Sequence, residues 1–123
     1  MIRIKRVYDP PSPDDGMRIL IDRLWPRGLS KAAAHIDAWI RDAAPSTELR
    51  MWFHHDPARW PEFRKRFTAE LREHEEAVEA IVEAARKGTV TFVYSSKEEE
   101  HNNAAALKEF IEARMHASRR KAA

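Results

Sequence analysis

The chain contains no cysteine, which excludes disulfides, thiolate zinc sites and cysteine nucleophiles. It has no apolar run long enough to span a membrane, and its first residues lack the apolar segment of a secretion signal. A strong excess of charge of one sign is also missing: 22 lysines and arginines face 20 aspartates and glutamates. The formal net charge of +2 argues against nucleic-acid binding. We therefore expect a soluble, cytoplasmic protein without a membrane partner.

The composition is that of a globular protein, with 43% hydrophobic and 34% charged residues. A chain of 123 residues is long enough for one hydrophobic core. No repeat and no composition shift marks a second domain. We expect a single α/β domain over residues 1–117, followed by a basic tail over residues 118–123.

Three segments have the residue pattern of strands: Ile2–Tyr8, Met17–Leu24 and Thr89–Tyr94. The third is apolar on both faces, which predicts a central strand covered on both sides. A loop rich in proline separates the first two strands. A long helical stretch between the second and third strands leaves room for a crossover connection.

Helical spacing and capping residues predict the remaining elements. Ser30 caps a predicted helix that runs to about Ala43, and Asp56-Pro57 begins another that breaks near His74 and ends by Gly88. Ser96, with glutamate three residues later, matches a capping box that begins a helix ending near Ala117. Together these elements predict an α/β fold with a small, mostly parallel sheet of at least three strands packed by helices.

The carboxyl ends of the predicted strands carry polar residues that a core does not need. In open α/β sheets, ligands bind beyond the carboxyl ends of parallel strands. These ends carry Asp9, then Arg23 to Arg27, then Tyr94 to His101. We expect them to converge on one site.

Arg23 and Arg27 are the first candidates for ligand binding, because a guanidinium offers a planar fork that fits phosphate or carboxylate. Trp25 lies between them and is expected to line the pocket. The alternative is an internal ion pair, in which Asp22 or Asp9 neutralises an arginine. Asp22 is also a candidate for accepting a proton.

Tyr94, Lys97, His101 and Asn102 are the second group of candidates, at a predicted junction of strand and helix. Lys97 and His101 are four residues apart and would share a helical face, where lysine holds an anion and histidine transfers a proton. The alternative is that Ser96 only caps the helix and that Lys97 pairs with the acidic run 98–100. This segment lacks the glycines of a phosphate-binding loop.

Metal binding has little support in the sequence. In His54-His55-Asp56 the neighbouring side chains diverge, and the aspartate is better placed as a helix cap. We therefore assign no metal site, and the sequence specifies no cofactor.

Several motifs resemble the YeaO-like family, a bacterial family of domains of unknown function. The most specific is the string Asp22-Arg23-Leu24-Trp25-Pro26-Arg27-Gly28. Val7-Tyr8-Asp9-Pro10, the segment 44–50, His55-Asp56-Pro57 and Glu100-His101-Asn102 add to the resemblance. It covers nearly the whole chain and implies a small cytoplasmic α/β protein. It implies no reaction, cofactor or catalytic residue. Family members often carry a histidine shortly after the counterpart of His101-Asn102, where this chain has Asn103.

The sequence favours a small-molecule enzyme or binder with an anionic ligand at the strand ends, bearing a phosphate or carboxylate, nucleotides included. His101 and Asp22 are the catalytic candidates, and whether the protein is an enzyme stays open. One alternative is a regulatory or interaction protein without catalysis. Another is a weak nucleic-acid module that uses the basic helices and Arg119-Arg120-Lys121. The oligomeric state does not follow from the sequence.

Overall fold

The strand Val90–Tyr94 (β4) lies at the centre of a parallel sheet, between Ile2–Arg6 (β1) and Met17–Leu20 (β2). The structure is a computed structural model; it describes residues 1–54 and 56–122, with side chains as far as residue 117. A short edge strand, Ala38–Trp39 (β3), pairs with β2. All residues of β4 are buried, as its continuous apolar sequence predicts. The predicted α/β fold with a parallel sheet is confirmed.

Helices form most of the rest of the chain. They are Lys31–Ala34 (α1), Thr47–Phe53 (α2), Trp60–Arg72 (α3), Glu75–Lys87 (α4) and Asn103–Ala122 (α5), with 3-10 turns at Pro13–Asp15, Arg41–Ala43 and Pro57–Arg59. The predicted break between α3 and α4 occurs at His74, whose φ of −122° and ψ of 53° are not helical. The strands β1 and β2 end earlier than predicted, so residues 21–24 lie beyond the sheet.

Helices α2–α5 cover one face of the sheet. On α3, Phe63, Phe67 and Leu71 recur every four residues, and all three are buried. They belong to the same apolar core as Ile19 and Phe92 of the sheet. Burial of each large apolar side chain stabilises the fold by about 1.5–3 kcal/mol. This core therefore fixes the helices relative to the strands.

The opposite face carries a smaller apolar cluster, formed by Val7, Leu20 and Val93. Trp25 and Trp39 pack against it from the segments that follow β2 and form β3. Short segments between the strands cover this face, whereas the long helices α3, α4 and α5 cover the opposite face. The chain beyond β2 is thereby held close to the carboxyl ends of the strands.

A buried ionic group lies beside this cluster. Arg18 Nη1 donates to Asp15 Oδ2 at 2.7 Å, and Lys5 Nζ lies 3.2 Å from Asp15 Oδ1. Asp15 is 0% exposed and Arg18 is 3% exposed. Burial raises the pKa of Asp15, but hydrogen bonds from the Ser12 N–H, Arg18 and Lys5 outweigh it and lower the pKa below its ordinary value. Asp15 is therefore a charged structural residue.

The predicted helix Ser30–Ala43 is wrong beyond Ala34, where α1 ends. His35 adopts a left-handed φ of 51°, and the chain then continues into β3. Arg18 accounts for the difference: its guanidinium donates to the carbonyls of Ala34 at 3.0 Å and His35 at 3.1 Å. Its backbone N–H donates to the Asp37 carboxylate at 2.8 Å. These long-range hydrogen bonds outweigh the helical spacing of the apolar residues.

The predicted helix start at Ser96 is also wrong. Ser96 Oγ accepts the Glu98 N–H at 3.1 Å, and Glu98 Oε1 accepts the His101 N–H at 3.1 Å. These local side-chain bonds compete with helical hydrogen bonds and hold the segment in a loop. Lys97 and His101 therefore do not share a helical face.

Asn102 is the residue that caps α5. Its Oδ1 accepts the N–H of Ala105 at 2.8 Å, the bond that an N-cap side chain makes. Its Nδ2 donates to the carbonyl of Glu98 at 2.8 Å. Asn102 thus joins the helix to the loop that precedes it.

Within the parts of the chain that the structure describes, no helix is both long and apolar enough to cross a membrane. The backbone of α5 continues to Ala122. The side chains of the predicted basic tail, residues 118–123, lie outside the described residues. The division into a domain and a tail stays a prediction.

Candidate functional site

A cavity of about 350 Å³ lies at the carboxyl ends of β1, β4 and β2. This is the place where parallel sheets bind ligands, and it is the edge to which the sequence points. Its lining combines residues that follow the strands with side chains of α2, α3 and α5. The lining residues are Tyr8, Asp22, Arg23, Leu24, Trp25, Pro26, Arg27, Ala44, Pro45, Arg50, Phe53, Phe63, Ser95, Ser96, Asn102 and Asn103.

Asp22 connects three segments of the cavity wall. Its Oδ2 accepts the Ser95 N–H at 2.9 Å, and its Oδ1 accepts from Asn103 Nδ2 at 3.1 Å. Its carbonyl accepts the indole N–H of Trp39 at 2.7 Å. Each carboxylate oxygen therefore already receives a hydrogen bond from the protein, which holds the ends of β2 and β4 against the start of α5.

Two of the guanidinium nitrogens of Arg23 donate hydrogen bonds to backbone carbonyls. Its Nε donates to the carbonyl of Pro45 at 3.1 Å, and its Nη2 donates to that of Ala44 at 3.3 Å. It forms no ion pair with Asp22 or Asp9, so the internal pair considered from the sequence is not present. Arg23 fixes the segment that leads into α2, and its Nη1 makes no hydrogen bond with the described residues.

Trp25 and its neighbours form a wall that is braced from within the protein. Trp25 Nε1 donates to the carbonyl of Leu29 at 2.6 Å, and its ring meets Trp39 edge-on at 5.5 Å. Tyr8 Oη donates to the carbonyl of Arg27 at 2.8 Å. Gly28 supplies the positive φ of 76° that the turn requires. Contacts within the protein therefore hold the conformation of this wall.

Arg27 and Arg50 give the cavity its positive charge. Both are exposed, and neither forms an ion pair with a carboxylate among the described residues. The described lining holds three arginines, the third being Arg23, and a single carboxylate, Asp22. A guanidinium without a partner is the side chain best suited to bind phosphate or carboxylate in two-point fashion.

Tyr94 does not line the cavity, so its predicted place among the lining residues is wrong. It is 3% exposed and packs in the main core. Burial raises the pKa of the Tyr94 hydroxyl, and the charge of Glu99 raises it further. Asn102, predicted beside it, does line the cavity.

His101, Lys97 and Asp9 also lie outside the cavity lining. The ring of His101 packs against Trp60 at 5.1 Å between centroids, and its Nδ1 is 4.0 Å from Glu98 Oε1. The loop that replaces the predicted helix turns His101 toward the beginning of α3. Lys97 and Asp9 are exposed. The expected convergence of His101 with Arg23 and Arg27 is therefore wrong.

Arg50 and Asn103 line the cavity but were not singled out from the sequence. Arg50 belongs to α2, and its place at the end of the family motif 44–50 was the available signal. Asn103 donates from one amide nitrogen to Asp22 and, at 2.9 Å, to the carbonyl of Ile21. Its position next to the predicted Asn102 was the available signal.

The segment His54-His55-Asp56 shows a capping role for the aspartate. Asp56 Oδ1 accepts the Ala58 N–H at 3.0 Å and begins the turn before α3. His54 ends α2 with a left-handed φ of 44°. His55 is outside the described residues. Elsewhere in the described chain, no three histidine, aspartate or glutamate side chains are grouped so as to hold a metal ion.

Comparison with known proteins identifies the family. A family model described as the inactive DUF488-N3 subclade matches residues 1–123. The chain belongs to this family. The resemblance to YeaO-like proteins is thereby confirmed.

Two relatives show how much of the chain is shared with known proteins. The chain is 42% identical over 110 residues to Uncharacterized protein YeaO of Escherichia coli, an alignment that spans 89% of this chain and 96% of the relative. It is 37% identical over 113 residues to Uncharacterized protein Rv3073c of Mycobacterium tuberculosis, spanning 92% of this chain and 95% of the relative. No solved structure matches the chain.

Proposed function

We propose that the protein binds a small phosphate- or carboxylate-bearing molecule in the strand-end cavity and catalyses no reaction on it. The observation that carries the proposal is the pair Arg27 and Arg50, which line the cavity without an ion-pair partner among the described residues. Asp22 offsets only part of the charge of the three lining arginines, and its carboxylate is held in place by hydrogen bonds from Ser95 and Asn103. An anion is the ligand whose charge complements this lining.

The absence of catalysis is supported by the state of the two candidate catalytic residues. Asp22 uses both carboxylate oxygens to hold the cavity wall together. His101 packs on Trp60 and is not among the residues that line the cavity. The matching family is itself described as inactive. Ligand binding without turnover accounts for an ordered, positively charged cavity in such a family.

The size and walls of the cavity define the ligand further. A volume of about 350 Å³ lies at the lower end of the roughly 300–1,000 Å³ range of small-molecule pockets. Trp25 and Tyr8 contribute aromatic surface beside Arg27. A compact anion with an apolar or aromatic part, such as a mononucleotide or an aryl carboxylate, fits this lining best.

Isothermal titration calorimetry tests the proposal with inorganic phosphate, adenosine monophosphate and benzoate as probes. We expect the parent protein to bind at least one of them. Removal of Arg27 or Arg50 by substitution to alanine should weaken binding about 10- to 100-fold, because a hydrogen bond to a charged group contributes roughly 1.5–3 kcal/mol. Arg86→Ala, at an exposed arginine of α4 outside the cavity, is the matched control and should bind like the parent.

Two results would contradict the proposal. One is a parent protein that binds none of the three probes. The other is equal binding by the parent and the Arg27 and Arg50 variants, which would place the anion elsewhere. Turnover of a bound probe, followed by product analysis, would refute the non-catalytic part alone.

A further inference from the structure

A second concave surface runs between α3 and α5, on the helical side of the molecule and away from the strand-end cavity. This open groove has a volume of about 770 Å³. Its floor contains the small side chains of Ala69, Ala106 and Ala113 together with Phe110. Small residues on both helices leave a groove rather than a closed helix–helix contact, so the groove has room for the ridge of another helix.

The edges of this groove are basic. Two of its cations are already paired: Arg64 with Glu109, and Arg114 with glutamates of α4. Lys65 and Arg72 are exposed and form no ion pair within the described part of the chain. An occupant that complements the groove must therefore present carboxylates alongside a small apolar ridge.

Helix α4 of the same protein presents that combination. Its outward side carries Glu76, Glu79 and Glu83 at helical spacing, with Ala80 between them, and all four are exposed. Lys87 approaches Glu83 at 3.8 Å, an exposed pair of the kind that contributes little to stability. The acidic side of α4 is thus a small, negatively charged helical surface.

The basic groove and the acidic side of α4 are neighbours on the molecular surface. Arg114 joins them, because it lines the groove while its Nη1 lies 3.0 Å from Glu75 and 3.4 Å from Glu79. Two patches of opposite charge, side by side, form a surface that is complementary to itself after a two-fold rotation. Helices α3 and α4 have 13 residues each, or about 20 Å, so their lengths match.

We propose that this surface binds a second copy of the chain, with the acidic side of α4 from each subunit in the α3–α5 groove of the other. Lys65 and Arg72 face Glu76 and Glu83 of the opposite subunit in both halves of the symmetric contact. This proposal does not depend on the anion-binding function. Exposed ion pairs are individually weak and screened by salt, so the dimer forms at high protein concentration and dissociates as salt rises.

Sedimentation velocity of the whole chain over a range of concentrations tests the proposal. We expect a dimer in about 20 mM salt and a shift toward monomer in about 500 mM salt, where the screening length is much shorter. A parent protein that stays monomeric at every concentration in low salt would overturn the proposal. The groove would then be left to an acidic segment of a different protein.

Charge exchange between the two patches makes the test specific. K65E/R72E makes the groove acidic, and E76K/E83K makes the side of α4 basic, so each variant alone repels its own copy and is expected to be monomeric. An equimolar mixture restores attraction in both halves of the contact and should form a heterodimer. Circular dichroism melting confirms that each variant is folded, and the mixture itself shows that both retain a competent surface.

A matched control separates surface complementarity from net charge. K31E/K97E makes the same change in net charge as K65E/R72E at exposed lysines outside both patches, and it should dimerise like the parent. Two results would overturn the proposal. One is loss of the dimer in this control as well, and the other is a mixture of the two exchanged variants that stays monomeric.

Discussion

Asp22 and Asn103 are joined by a hydrogen bond of 3.1 Å, from the asparagine Nδ2 to the aspartate Oδ1. The same Nδ2 donates to the carbonyl of Ile21 at 2.9 Å. One side chain at the start of α5 thus holds two consecutive residues at the end of β2. Because Asp22 and Asn103 both line the cavity, the hydrogen bond between them fixes the relative position of two of its walls.

Substitution Asn103→Ala should lower the free energy of unfolding by about 1–3 kcal/mol. The change removes the donor for Asp22 and Ile21, and a buried acceptor left without a partner carries that cost. Urea denaturation measures the effect. Glu99→Ala, at an exposed residue of the preceding loop, should change the midpoint little. Equal midpoints for the two variants would show that the Asn103 link contributes nothing.

Arg23 and Arg27 should differ in their effect on stability, although the sequence presents them as a pair. Arg23→Ala leaves the carbonyls of Ala44 and Pro45 without their donor and should lower the free energy of unfolding by roughly 1–3 kcal/mol. Arg27→Ala should lie within about 0.5 kcal/mol of the parent, as is usual for exposed positions. Chemical denaturation of the two variants under one condition compares them. A larger loss in Arg27→Ala would contradict this division.

Asp15→Asn should destabilise the protein strongly at neutral pH, by roughly 3–5 kcal/mol, because Arg18 then keeps a buried charge without its anionic partner. The effect should depend on pH. The pKa of Asp15 in the folded protein lies below the ordinary value of 3.8. Its stabilisation is therefore fully present above that value and is lost as the pH falls through the folded pKa.

Denaturation curves of the parent and Asp15→Asn between pH 7 and pH 2 measure this dependence. The stability difference between the two proteins should be constant down to about pH 4 and then narrow. Asp14→Asn is the control, since its side chain is exposed and makes no ion pair with the described residues. A difference that widens in acid would mean that the Asp15 pKa is raised in the folded state.

The elements that could be predicted are those in which local pattern and tertiary position agree. β4 is a continuous apolar run, and the fold places it between two strands, so propensity and burial favour the same structure. On α3, the apolar stripe of Phe63, Phe67 and Leu71 likewise packs in the core against the sheet.

The elements that could not be predicted depend on partners distant in the sequence. Nothing near Ser30 indicates that Arg18 will take the carbonyls of Ala34 and His35 and end α1. Ser96 and Asn102 both suit a helix start, and the choice falls on Asn102 because Glu98 binds the N–H groups of the loop. Local preference alone does not separate two acceptable caps.

The same distinction applies to the candidate site. The strand-end rule indicated the edge of the sheet at which the cavity lies, and Asp22 to Arg27 line that cavity. It gave no information on side-chain direction, so Tyr94 and His101 were placed in a cavity that they do not line. Arg50 depends on how α2 packs, which follows from the whole core rather than from neighbouring residues.

The strand order β1-β4-β2-β3 has a consequence for synthesis on the ribosome. β1 and β2 are made before β4, yet they do not pair with each other, because β4 lies between them and is completed only at Tyr94. Until β4 emerges, β1 and β2 lack the strand that lies between them in the sheet. The sheet therefore closes only after the helices between β3 and β4 have been translated, and until then the edges of β1 and β2 that β4 will cover are unpaired.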